Sequence, residues 1–261
     1  MKFAKALFAA GLSVAATATG AHAQMAVGLV GDDMLVMIDG SKPAATKTMK
    51  VEGAGKLLGI DVRPSNKMLY AVNTDGDVFT IDTKSGKATK GAKLSAMIPE
   101  GTEAIVDFNP KADKLRFMST DGTNLRADVE TGKTVKDGSL AFEEGDMHAG
   151  EKPAIVAAAY TNSHGKPETT KMYDIDATIV ALIQQTKPND GTLKAIGKLG
   201  IDAAKTYAFD VHTTADGENT AWLVADNTLY TVALDSGKAT KVGEISGVDG
   251  AIRDVTVLPA S

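Results

Sequence analysis

"LLGIDVRPSNKMLYAVNTDGDVFTIDTKSGKATKGAKL", Leu57 to Leu94, is the stretch that decides the fold. It holds four short runs rich in Val, Ile, Thr, Tyr and Phe, separated by Pro-Ser-Asn, Asp-Gly and Ser-Gly. Branched and aromatic residues favour a half-buried pleated surface, and Asp-Gly pairs supply the positive φ that hairpin turns need. The stretch therefore reads as four strands joined by tight turns. Its last turn, Ser85-Gly86-Lys87-Ala88-Thr89-Lys90, returns unchanged as Ser236 to Lys241.

The unit recurs between and beyond these two turns. Ala104 to Leu140 matches the first copy turn by turn, Asp61 with Asp107, Pro64 with Pro110 and Gly86 with Gly132. Ile155 to Leu199 is a looser third copy, with longer turns expected at Asn162 to Thr169 and Gln184 to Gly191. Tyr207 to Ile245 is the fourth and restores the tight spacing. Four-stranded units spaced by about 45 to 50 residues have the period of propeller blades. The chain ends in "AIRDVTVLPAS", which supplies only a first strand, and begins near Met25 to Val51 with only the later three. Joined, the two ends make a fifth unit and leave no open sheet edge. The expectation is all-β: a five-bladed β-propeller closed by pairing of the N-terminal strands with the C-terminal strand.

The start, "MKFAKALFAAGLSVAATATGAHAQ", has Lys2 and Lys5, an apolar run and Ala21-His22-Ala23 as a small-x-small cleavage pattern. Residues 1–23 read as a signal peptide and 24–261 as one propeller domain. The apolar run is shorter than the roughly 18 to 20 residues that cross a bilayer. A cleaved, periplasmic protein is the expectation. With no cysteine in the chain, thiol nucleophiles and cysteine-ligated metal sites are excluded. A net charge of −5 with scattered lysines speaks against nucleic acid as a partner. A monomer with a small-molecule or protein partner is expected.

Aligning the first strand of each unit places Asp61, Asp107, Asp210 and Asp254 at one level, with Ala159 in the third copy. First strands line a propeller's axis, so these four would ring the channel. Carboxylates gathered there either hold a hard cation such as calcium or accept hydrogen bonds from amides of their own and the next blade. Two residues further on stand Arg63, Asn109, Thr161, His212 and Thr256, on the same side of the strand alternation. They are expected to gather at one rim of the channel, where their variety suits ligand recognition or ordinary turn chemistry. His148, His164 and His212 lack metal-ligand spacing. Asp146-Met147-His148 reads as a solvated loop rather than a copper site, and Asn73 to Asp82 as a hairpin rather than a calcium loop. Trp222 reads as core.

The words "GIDVRPSNKMLYAV", "VDFNPKADKLRFMSTDGTNLRAD", "AAAYTNS" and "QTKPNDGTLKAIGKLG" together resemble the exported bacterial family catalogued as domain of unknown function 4394, over roughly Met25 to Val257. The resemblance implies a secreted propeller-like domain and no established activity, cofactor or catalytic residue. Without a nucleophile elbow, phosphate loop or dinucleotide fingerprint, a non-enzymatic binder at one channel face is the first expectation. The alternative is a calcium-dependent, lactonase-like hydrolase with His212 as general base.

Overall fold

The computed structural model describes residues 24–259, so the leader read at 1–23 lies outside the described residues. Blade I holds β1 (Met25–Val30), β2 (Met34–Asp39) and β3 (Ala44–Lys50). Blade II holds β4 (Leu57–Arg63), β5 (Met68–Asn73), β6 (Asp77–Ile81) and β7 (Ala88–Lys93). Blade III holds β8 (Ala104–Asn109), β9 (Lys114–Ser119), β10 (Asn124–Ala127) and β11 (Thr134–Lys136). Next come the two-residue β12 (Ala141–Phe142) and blade IV, with β13 (Ile155–Tyr160), β14 (Met172–Asp176), β15 (Ala181–Lys187) and β16 (Thr192–Lys198). Blade V holds β17 (Tyr207–Thr213), β18 (Asn219–Ala225), β19 (Thr228–Val232) and β20 (Ala239–Glu244). The final strand, β21 (Ile252–Val257), returns to blade I in the order β21-β1-β2-β3, pairing Ala26 with Val257 and Leu29 with Asp254. The fold is the five-bladed propeller that the repeats predict, closed by its two chain ends.

Two details of blade IV differ from the sequence reading. The long turn read at Gln184 to Gly191 is strand in its first half: β15 continues to Lys187 because Gln185 and Lys187 pair with Leu193 and Thr192. The connection before the blade contributes β12, which lies parallel to β16. Three residues of Asp146-Met147-His148 remain a loop, as expected, with Met147 exposed.

Side chains grade from the axis outward. Inner strands such as β5, MLYAVN, are buried beyond their first residue, whereas the Lys- and Thr-rich outer strands β7 and β20 are largely exposed. Charged side chains on an outermost strand discourage edge-to-edge pairing. Five buried apolar clusters lie one to a junction, for example Tyr70, Phe108 and Phe117 between blades II and III. Trp222 is core as read, with Ile38 and Val255 between blades V and I.

The repeated Ser-Gly-Lys turn, Thr-Gly-Lys in blade III, joins the third and fourth strands of a blade, and its glycine does two things. Gly86, Gly132 and Gly237 all have φ between +73° and +79°. Each also lies against the preceding blade, where an added Cβ would fall 1.9 Å from the Lys93 oxygen at Gly132 and 2.4 Å from the Gly197 oxygen at Gly237. Neighbouring hydrogen bonds, such as Ser95 N–H to the Gly132 oxygen at 2.9 Å, hold the turn there. Gly132→Ala is therefore expected to destabilise the protein by at least about 2 kcal/mol, through left-handed strain plus a backbone clash. Urea denaturation reads this, and a cost within ~0.5 kcal/mol of zero would contradict it.

The III–IV junction is polar at its outer part. Arg116 on β9 is 2% exposed and donates to Asp137 Oδ2 (2.6 Å), Asn124 Oδ1 (2.8 Å), Asn189 Oδ1 (3.0 Å) and the Tyr160 hydroxyl (3.2 Å). Asn124 in turn donates to the carbonyls of Gly138 and Pro188. Tyr160 and Asn189 belong to blade IV, so one buried guanidinium ties two blades together.

Candidate functional site

The first strands β4, β8, β13, β17 and β21 surround the axis, and their aspartates act first as latches. Asp61 Oδ2 accepts the Phe108 N–H of the next blade at 2.7 Å, while Oδ1 accepts the Val62 N–H and the Thr256 hydroxyl. Asp107 Oδ1 accepts the Tyr160 N–H at 2.9 Å, and Asp210 accepts Val211 and Val257 N–H groups. Asp254 accepts Val255 and Ile60 N–H groups. Four of the five junctions are thus bridged from a carboxylate to a backbone amide of the following blade. Ala159 leaves the fifth without one. There Ser163 bridges instead, its hydroxyl donating to the Val211 carbonyl at 2.7 Å and its N–H to Thr213 Oγ1.

The bonding pattern also corrects the alignment of Asp254. Asp61 and Asp107 each reach the residue that follows the aspartate position of the next strand. Asp254 reaches Ile60 instead of Val62, and Asp210 reaches Val257 instead of Val255. β21 is therefore displaced along the axis by two residues. Thr256 takes the ring position, accepting the Val62 N–H at 3.2 Å and donating to Asp61. Asp254 lies outside the close cluster, which consists of Asp61, Asp107 and Asp210 with carboxylate oxygens within 4.8 Å of one another. This buried triad has the donor set for a metal ion.

Its electrostatics disfavour three full charges. Two full charges at such a separation repel by about 3.5 kcal/mol at an effective dielectric of about 20. Burial, then the Asp210 charge, pushes Asp61 well above the usual carboxylate range, and burial with Asp61 and Asp210 does the same to Asp107. Burial carries Asp210 up to about 6 and Asp254 to about 7, against the pull of their amide hydrogen bonds. Asp107 differs from the others in one respect: only its Oδ1 accepts a backbone hydrogen bond among the described residues.

A cavity of about 260 Å³ opens above the triad, bounded by Asp61, Asp107, Asp210, His212, Thr256 and His164. Of the five rim residues expected to gather there, His212 and Thr256 do. Arg63, Asn109 and Thr161 do not. Arg63 crosses to blade III, bidentate on Asp113 at 2.8 and 2.7 Å and paired with Glu130, with the Tyr70 hydroxyl beneath it. Asn109 caps its own turn through the Lys111 and Ala112 amides, and Thr161 prolongs the pairing of β13 with β14 through Lys171. These positions share one side of the strand alternation, so what lies opposite each of them, an acid of the next blade, its own turn or the lumen, decides where it points.

Burial and then the His164 charge lower the His212 pKa. His164 escaped the sequence reading as a channel residue. The long 162–169 turn of the third copy, at the same end of its blade as His212, was the signal for it. A larger cavity of about 780 Å³ lies at the other mouth, bounded by Leu58, Glu103, Val156, Tyr207 and Arg253. Arg253 spans it, donating to the carbonyls of Gly31, Leu57 and Leu58. No repeat position pointed there, because its walls come from the variable segments that enter each blade.

The family described as Domain of unknown function (DUF4394) matches residues 34–256. No curated protein matches the chain significantly. Among solved structures, a protein of unknown function from Bacteroides thetaiotaomicron superposes with a TM-score of 0.55 at 15% identity, over 93% of this chain and 68% of that one. One from Bacteroides caccae gives 0.46 at 10% identity, over 87% and 76%. A dihydro-heme d1 dehydrogenase gives 0.42 at 15% identity, over 86% of this chain and 44% of its own. The similarity at 0.55 is one of fold.

Proposed function

The chain belongs to the DUF4394 family of domains of unknown function, a membership that assigns no chemistry, and from its channel we propose a non-enzymatic periplasmic propeller that binds a small cationic ligand. The observation that carries this reading is the cavity of about 260 Å³ floored by three carboxylates within 4.8 Å. A binding site needs a concave space with a few convergent polar groups, and this mouth has both. The cavity's size favours a small ligand over a protein partner.

A divalent cation, calcium first, is the simplest occupant. Calcium takes 6–8 oxygen ligands, so Asp61, Asp107 and Asp210 would supply carboxylate oxygens and water the rest. Asp107 Oδ2, which accepts no hydrogen bond among the described residues, and the repulsion within the ionised triad support that assignment. Export of the chain, with residues 1–23 removed near Ala23, is part of the same proposal.

Saturating calcium, or terbium as its luminescent probe, is expected to raise the melting temperature by about 5–10 °C. Asp107→Asn keeps the acceptor for the Tyr160 amide and is expected to abolish the rise. Protons compete for the same oxygens: the triad's raised pKa values mean that it is neutralised by protons at low pH and needs the cation at high pH. The shift is therefore expected to be larger at pH 8 than at pH 5. No shift with saturating cation at pH 8 removes the cation reading. One observation favours the calcium-dependent hydrolase instead, His212 lining the same cavity as the triad. Lactone turnover that needs both calcium and His212 would decide for it.

A further inference from the structure

Asp174 on β14 and Gln185 on β15 are buried at the junction of blades III and IV, 0% and 1% exposed. Gln185 Nε2 donates to Asp174 Oδ2 at 2.9 Å and to Met118 Sδ, on β9 of blade III, at 3.2 Å. The other two oxygens of the pair, Asp174 Oδ1 and Gln185 Oε1, have no hydrogen-bond partner among the described residues. A buried acceptor left without a donor costs on the order of 1–3 kcal/mol, and two at one spot in a well-packed junction call for a common remedy. Both atoms are acceptors. Flipping the Gln185 amide would only turn its oxygen toward the carboxylate.

A single proton held between them would satisfy both. We propose that Asp174 is a neutral carboxylic acid in the folded protein, with its proton on Oδ1 shared with Gln185 Oε1, forming a pH-sensitive fastening between blades III and IV. Acid and amide then each donate once and accept once, and no net charge is buried. The surrounding groups agree. Arg116, on β9, favours ionisation of Asp174, but its guanidinium is already committed to Asp137, Asn124, Asn189 and Tyr160. Asp176, on β14 itself, opposes ionisation. From the flanking strands, β13 offers Tyr160 as its one titratable residue and β15 offers only the exposed Lys187. Burial pushes the Asp174 carboxyl up to about 7, against the Gln185 hydrogen bond and the Arg116 charge.

The sign of the effect follows from that direction. A carboxyl whose folded pKa stands above its unfolded value of about 3.9 holds its proton more tightly when folded. Its contribution is full below about pH 4, declines as pH rises, and is gone above about pH 7. The junction is fastened in acid and loosened in mild alkali.

The test compares wild type with Asp174→Asn across pH. The asparagine retains an acceptor for Gln185 Nε2 and gains an N–H donor for Gln185 Oε1, with nothing to titrate. Between pH 5 and pH 8 the melting temperature of wild type is expected to fall on the order of 5–10 °C further than that of D174N. The channel aspartates are common to both proteins and cancel in the difference. Equal slopes overturn the proposal. If D174N does not fold, the ¹³Cγ resonance of Asp174 in the wild-type protein decides. Titration near pH 7 supports the neutral acid, and titration in the ordinary carboxylate range overturns it.

Discussion

A chain truncated after Ala251, lacking β21, is expected to be unfolded or aggregated under conditions in which the full chain is a cooperative globule. β21 buries Ile252, Val255 and Val257 to 6% exposure or less, each worth about 2 kcal/mol. It also carries Thr256 and Asp254, and accepts the latch from Asp210. The sum of about 6 kcal/mol from apolar burial alone is comparable with the whole stability of an ordinary domain, about 5–15 kcal/mol. Removing the strand also strips the inner edge of β1, a bare row of amides and carbonyls open to other chains. Circular dichroism and size-exclusion chromatography of the truncated chain measure both effects. A soluble monomer with native strand content would show that β1–β20 stand without closure.

Arg116→Ala is expected to cost about 3–5 kcal/mol, because it removes one partner of a buried ion pair and strands the others. Asp137, 4% exposed at its side chain, keeps only Arg126, at 3.0 Å, and Asn189 and Tyr160 lose their donor. Arg116→Lys is expected to recover only part of the loss, since an ammonium lacks the planar fork that reaches four acceptors at once. Urea denaturation of the two variants gives the numbers. A loss below about 1 kcal/mol for the alanine variant would mean that the network is incidental to the junction.

That network also explains why some features were legible in sequence and others were not. Blade count and closure were readable because they rest on local patterns: alternating strands, Gly86, Gly132 and Gly237 at matching places, and a unit split between the two ends. Asp61, Asp107 and Asp210 were readable as a ring for the same reason. Asp254 was misplaced because the axial displacement of β21 is set by how one blade packs on the next, which no spacing within the unit records. Arg63, Asn109 and Thr161 were misassigned because alternation gives the face of a strand but not what lies opposite. The words Asn124-Leu125-Arg126, Ala159-Tyr160-Thr161-Asn162 and Pro188-Asn189 looked unrelated along the chain. In space Asn124, Arg126, Tyr160 and Asn189 converge on Arg116 and Asp137, so they are the polar glue of one junction. The pairing of Asp174 with Gln185 was invisible, since nothing in "MYDID" or "ALIQQTK" says that the two side chains are buried against each other.

Splitting blade I between the two ends also sets the order of events in time. β1, β2 and β3 are made first, but the strand that seats them on the axis is made last, with Ala26 waiting for Val257. Bringing together ends so far apart in the chain costs entropy and postpones the contacts that depend on it. During synthesis the nascent protein is a chain of blades with an incomplete first member, and no quantity of local structure can finish it early. Blade I is complete only once the two ends have met, and the inner edge of β1 stays open to other partners until then.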